Sequence, residues 1–224
     1  MTLTHPRQPP RRSAPPGTWW GKAWVRSLEE SAYGEQELKG GRRLARAGAV
    51  GAIAVAPGEY VAVVDDAFTV TGSVALFDPT DASLFVEVVA SGAGLAAALL
   101  TGELPERLVE GLEEVGVELV PYAGELAWSC TCRPWIDPCE HAVAVATQVG
   151  WLLQADPLVL VHLRGLPRDE LLARVHELTV RTGSGSGPVG GDEPAEDLAD
   201  ELVEDLEAGT DAALRAQVML GEWE

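Results

Sequence analysis

All three cysteines of the chain and one of its four histidines fall within residues 129–149, which read SCTCRPWIDPCEHAVAVATQV. They are spaced as Cys130-x-Cys132, six residues, then Cys139-x-His141. Three sulfurs and one imidazole nitrogen form the donor set of a tetrahedral zinc site. Four ligands leave no open coordination position, so such a Zn²⁺ is expected to be structural and to fold the loop around it. A redox or disulfide role for the Cys-x-Cys pair is the competing reading. It lacks the helix that directly follows the reactive pair in thioredoxin-like motifs.

The elements that must position these ligands follow from local chemistry. Residues two apart point to different sides of a helix, so Cys130 and Cys132 require a bent strand or hairpin end. The alternating Glu125-Leu126-Ala127-Trp128 leads into one. Pro134 and Pro138 exclude a continuous helix between the two pairs and favour a stiff extended loop. Pro138 then precedes the apolar run Ala142-Val143-Ala144-Val145-Ala146, which has no breaker before Gly150. That pattern predicts a helix over 139–155 with Cys139 and His141 in its first turn. Free N–H groups and partial positive charge at such a terminus favour a thiolate at Cys139.

Cys-x-Cys, a short loop, then Cys-x-His opening an apolar helix resembles the SWIM zinc finger, a ββα metal module. The resemblance implies Cys130, Cys132, Cys139 and His141 as the zinc ligands. It also implies DNA or protein partners, with Swi2/Snf2-type helicases as the neighbouring system. Many members carry a lysine between the last cysteine and the histidine, where this chain has Glu140. The upstream pattern, Trp-Trp-Gly-x-x-Trp followed by Gly-Arg-x-x-Ala-Arg-x-Gly, is similar to the segment ahead of the finger in bacterial SWIM proteins.

The rest of the chain reads as an α+β fold, an antiparallel β-meander covered by helices, with the finger integrated into it. Residues 1–17 are rich in Pro, Arg and Ser and predict a disordered basic arm. An α+β region is expected over 18–127. It opens on a helix capped by Thr18, with Trp20, Trp24 and Leu28 on one stripe reaching to about Tyr33. Tryptophans at that spacing suit a core better than a platform for bases. Period-two runs predict strands at 50–55, 60–64, 68–71, 74–77 and 84–89, and strand character again over 117–128. Their small residues, Gly51, Ala52, Ala54 and Ala62, call for a helix packed closely on the sheet, and the tryptophan helix is the candidate. Short packing helices are expected over 96–100 and 104–115. The finger occupies 128–155, and a helix over 168–180 lies in a packing region at 156–181. His162 and His176 have no neighbouring acids or cysteines and read as packing or surface residues. Residues 182–224 predict a flexible linker and an acidic amphipathic helical tail.

Net charge is −19, unevenly spread. Residues 1–48 hold nine Lys or Arg against four Asp or Glu, and residues 182–224 hold one against twelve. Lys39, Arg42, Arg43 and Arg46 form the most basic stretch and the candidate nucleic-acid contact. The acidic body opposes a phosphate backbone, which favours a protein-interaction module, with a helicase-type ATPase as the partner that the resemblance implies. The alternative is a nucleic-acid binder that uses the basic N-terminal region and is held back by the acidic tail. An enzyme is not expected, because no phosphate-cradling glycine loop and no Ser/His/Asp constellation is present. Without a signal-peptide apolar region or a membrane-length stretch, the expected location is the cytoplasm.

Overall fold

A computed structural model describes residues 1–92 and 94–183; of Thr182 and Gly183 it describes the backbone alone. The chain runs β1 (Leu3–His5), α1 (Trp19–Ser31), α2 (Glu35–Ala47), β2 (Val50–Ala56), β3 (Glu59–Val64), β4 (Phe68–Val74), α3 (Pro79–Ser91), α4 (Leu95–Leu100), α5 (Glu106–Val115), β5 (Leu126–Cys130), α6 (Glu140–Ala155), α7 (Pro157–Leu163) and α8 (Arg168–Gly183). This is an α+β fold. The five strands form one antiparallel sheet in chain order. Residues 1–182 pack as one unit. The linker and acidic helix expected in the tail lie outside the described residues from 184 onward. None of the described helices is long and apolar enough to cross a membrane.

Alternation sets the inner face of the sheet. Ile53 and Val55 of β2, Tyr60, Ala62 and Val64 of β3, and Val70 and Val74 of β4 are all buried. The element laid across them is α6, apolar on nearly every side, with Ala142 to Ala146 and Val149 fully enclosed. Such a helix needs cover on its far side as well, and α1 and α2 supply it. The indole Nε1 of Trp24 donates to Ala146 O at 2.9 Å, that of Trp20 to Leu153 O at 2.7 Å, and Gln148 Nε2 to Ala45 O at 2.9 Å. The stripe expected on α1 is therefore its buried face, but it packs on α6. It is α6, and not the tryptophan helix, that closely covers the sheet. The small residues at the α2 crossing explain how near the helices lie: a Cβ on Gly41 would stand 2.5 Å from Val143 Cβ.

Four local expectations are corrected. The predicted strand at 84–89 is the middle of α3. Asp78 Oδ1 caps that helix by accepting from Thr80 and Asp81 N–H at 2.7 and 2.8 Å, Pro79 pre-sets its first residue, and Phe85, Val86 and Val89 face inward. A strong start signal thus overrides a β-branched run. The predicted strand at 74–77 is only the end of β4, and strand structure within 117–128 begins at Leu126. The arm predicted to be disordered is docked: Leu3 to His5 pair with Val55 to Ile53, Arg11 N–H donates to Arg46 O at 2.8 Å, and the Arg11 guanidinium sits 4.7 Å over the Trp151 ring. Backbone pairing and a cation–π contact give the segment an ordered position that its composition does not advertise.

Gly72 lies opposite Tyr60 in the β3/β4 register, and the Tyr60 ring lies over it on its way to accept a hydrogen bond from Trp128 Nε1 at 2.8 Å. A Cβ on Gly72 would stand 2.1 Å from Tyr60 Cζ. Gly72→Val is expected to displace the ring and lower unfolding free energy by about 1–3 kcal/mol, measured by denaturant titration. Unchanged stability would show that the ring does not rest there.

Candidate metal centre

Cys130 ends β5, paired across to Val70. A tight turn follows, fixed by Thr131 N–H donating to Thr69 O at 3.0 Å, Thr69 N–H donating to Thr131 Oγ1 at 3.0 Å, and Arg133 N–H donating to Cys130 O at 3.2 Å. This turn draws Cys132 in toward Cys130; in an uninterrupted strand the two would share a face but stand roughly 6.5 Å apart along it. Arg133 has φ 50°, and the chain then passes through Pro134, Trp135 and Ile136 at the surface before returning to Cys139. Cys139 is the N-cap of α6, its Sγ accepting from Ala142 N–H at 3.5 Å, and His141 follows within the first turn.

These elements bring the four predicted ligands together. Cys132 Sγ is 3.6 Å from Cys139 Sγ, and His141 Nδ1 is 3.9 Å from Cys130 Sγ and 4.0 Å from Cys139 Sγ. All four donor atoms lie within 4.8 Å of one another, an arrangement that could hold a metal ion. It is therefore Nδ1, not Nε2, that turns toward the sulfurs. The imidazole is stacked on Phe68 of β4, centroids 4.3 Å apart and planes 25° apart. Phe68 had no signal in the sequence beyond strand alternation, yet it orients the imidazole as outer partners do in metal sites.

Two of the bare thiols, Cys132 and Cys139, are pushed toward the protonated form. Burial, with the neighbouring Cys130 and Cys139 adding to it, pushes the Cys132 thiol up to about 12. Burial also raises Cys139, with the Ala142 N–H lowering it by a smaller amount. The helix terminus thus acts in the expected direction, but burial outweighs it. Thiolates crowded here are stable only with positive charge between them.

The four basic residues of α2 do not form one patch. Lys39 and Arg43 face the loop that carries Trp135, lining a groove of about 670 Å³ shared with Cys132, Cys139 and Glu140. Arg42 and Arg46 face α1, Arg42 being paired with Glu29. Lys39 is paired with Glu35 at 2.7 Å. His162 is buried and His176 exposed, both apart from the cluster.

Over 201 residues the chain is 29% identical to the uncharacterized protein Rv2102 of Mycobacterium tuberculosis, an alignment covering 88% of this chain and 70% of that one. No family model matches the chain. No solved structure matches it either.

Metal binding must displace the protons of thiols that ionise above the ordinary range, so affinity is expected to rise with pH. Below those values each cysteine ligand releases one proton, and the dissociation constant should fall by roughly two to three decades per pH unit between about pH 6.5 and 7.5. Competition against a chromophoric chelator measures this. An affinity independent of pH would mean that the sulfurs are not the ligands.

Proposed function

We propose that the cluster holds a structural zinc ion in a SWIM-type finger, and that the loop fixed by this ion is the recognition element for a protein partner. Soft thiolates with one imidazole suit zinc, whose tetrahedral geometry with Zn–S bonds of about 2.3 Å places sulfurs about 3.8 Å apart. The Cys132–Cys139 separation of 3.6 Å supports that fit. With four protein ligands the ion offers no position to a substrate. Its role is to close the loop and anchor the start of α6, and the protein is not an enzyme on this reading.

The observation that carries the reading is Trp135, 104% exposed at the tip of a loop whose two ends are both ligand-bearing. Beside it Ile136 is 42% exposed. Exposed tryptophan on a pre-ordered loop is the typical anchor of a protein interface, where aromatic side chains contribute the largest single terms. The groove behind it has a mixed rim, with Lys39 and Arg43 alternating with Glu37 and Glu140. Mixed charge suits a protein surface better than a phosphate backbone. The resemblance to SWIM proteins supplies the partner class, a Swi2/Snf2-type helicase ATPase, to which this chain would be an accessory.

Trp135→Ala is expected to leave zinc content and melting temperature unchanged while lowering recovery of the helicase-type partner about tenfold or more. Quantitative mass spectrometry of nuclease-treated pull-downs from cells reads this out. Equal recovery of that partner by the variant, or its loss on nuclease treatment alone, would remove the loop from the interface.

A further inference from the structure

Two pairs of cations face each other across a cleft that the metal centre does not use. On α1, Lys22 and Arg26 stand one turn apart, and on α2, Arg42 and Arg46 do the same. All four line a cavity of about 380 Å³, with Thr147 and Gln154 of α6 also in its wall. Volumes of about 300–1,000 Å³ are those of small-molecule sites. Only one carboxylate, Glu29, lines the cleft, and it is held by Arg42. Arg26 reaches Glu30 at 3.1 Å on an exposed surface, where the pair is weakly held. Among the described residues, Lys22 and Arg46 have no ion-pair partner. Gln154 lies against Gly21, where a Cβ would stand 2.2 Å from its Cγ. Its Nε2 donates to Gly150 O at 3.2 Å, and its buried Oε1 has no partner.

In a chain with 35 acids and 16 Lys or Arg, cations are expected to disperse among carboxylates. Four that converge on one cleft with a single acid between them repel one another, and an anion between the two helices removes that repulsion. We propose that this cleft binds a small phosphate-bearing molecule of nucleotide size, one phosphate bracketed by each helix's cation pair and a donor group of the ligand meeting Gln154 Oε1. The occupant is small for electrostatic reasons. Charges beyond about 8 Å are screened at physiological ionic strength, so a ligand within the cleft meets mainly the four cations. Glu30, exposed beside Arg26, opposes a longer polyanion leaving the cleft on that side.

Isothermal titration of the full metal-loaded chain tests this with three probes: inorganic pyrophosphate, ATP and a single-stranded oligonucleotide. Pyrophosphate and ATP are expected to bind with dissociation constants below about 1 mM and to weaken as salt rises. Lys22→Glu combined with Arg46→Glu should weaken both at least about tenfold, whereas Lys39→Glu with Arg43→Glu on the other face of α2 should leave both unchanged. Gln154→Leu should weaken ATP and spare pyrophosphate. If the double charge reversal fails to fold, as judged by lost metal and altered circular dichroism, Arg46→Gln replaces it with an expected loss of about threefold. No heat from either small probe up to about 5 mM, equal binding by the cleft variants, or binding of the oligonucleotide alone would overturn the proposal. These outcomes are read without Trp135, so they stand or fall apart from the finger's role.

Discussion

Cys139 couples the cysteine–histidine cluster to the fold: it is both a member of that cluster and the N-cap of α6. The cap bond from Ala142 N–H runs to the same sulfur that faces Cys132 and His141. A helix start ordinarily uses an oxygen for this purpose. Here a sulfur does it, and burial raises that thiol, so its thiolate form needs a cation beside it to persist. Because α6 lies between the sheet on one side and α1 and α2 on the other, whatever fixes its first turn also fixes the layer on which Trp20, Trp24 and Gln148 converge. The cluster is therefore continuous with the core, and its chemistry and the stability of the domain are one problem.

The same helix accounts for what was legible in the sequence. The Cys130, Cys132, Cys139 and His141 cluster could be read because metal chemistry restricts both residue types and spacing, and the start of α6 because Pro138 and an unbroken apolar run leave few other conformations. The stripe Trp20, Trp24, Leu28 gave α1 its buried face. Its destination was not legible, since periodicity says which side is inward but not what it meets. The strand expected at 84–89 failed for a related reason: that run is apolar but for Glu87 and too short to separate the two periods, and Asp78 with Pro79 decides between them. The ordered N-terminal segment was hidden altogether. Its position depends on partners far away, the open edge of β2 and the face of Trp151, and composition carries no record of those.

Charge shows the same limit. In the sequence Arg42 and Arg46 share a face of α2 and Arg43 stands beside them. The close crossing at Gly41 turns α2 so that Arg43 and Lys39 look to the metal loop while Arg42 and Arg46 look to α1. A patch suited to a polyanion thereby becomes two smaller features with different neighbours. Overall acidity and local cation clusters coexist because screening confines each cluster's field to its own surroundings.

The central claim is that a single ion closes the Cys130, Cys132, Cys139 and His141 cluster and holds α6 in place. Metal analysis of the purified chain by mass spectrometry under native conditions, followed by near-ultraviolet circular dichroism through a chelator titration, tests it most directly. One zinc per chain is predicted, with the tryptophan signal lost in step with the metal. A metal-free chain whose tryptophan signal and melting profile are indifferent to chelator would contradict it.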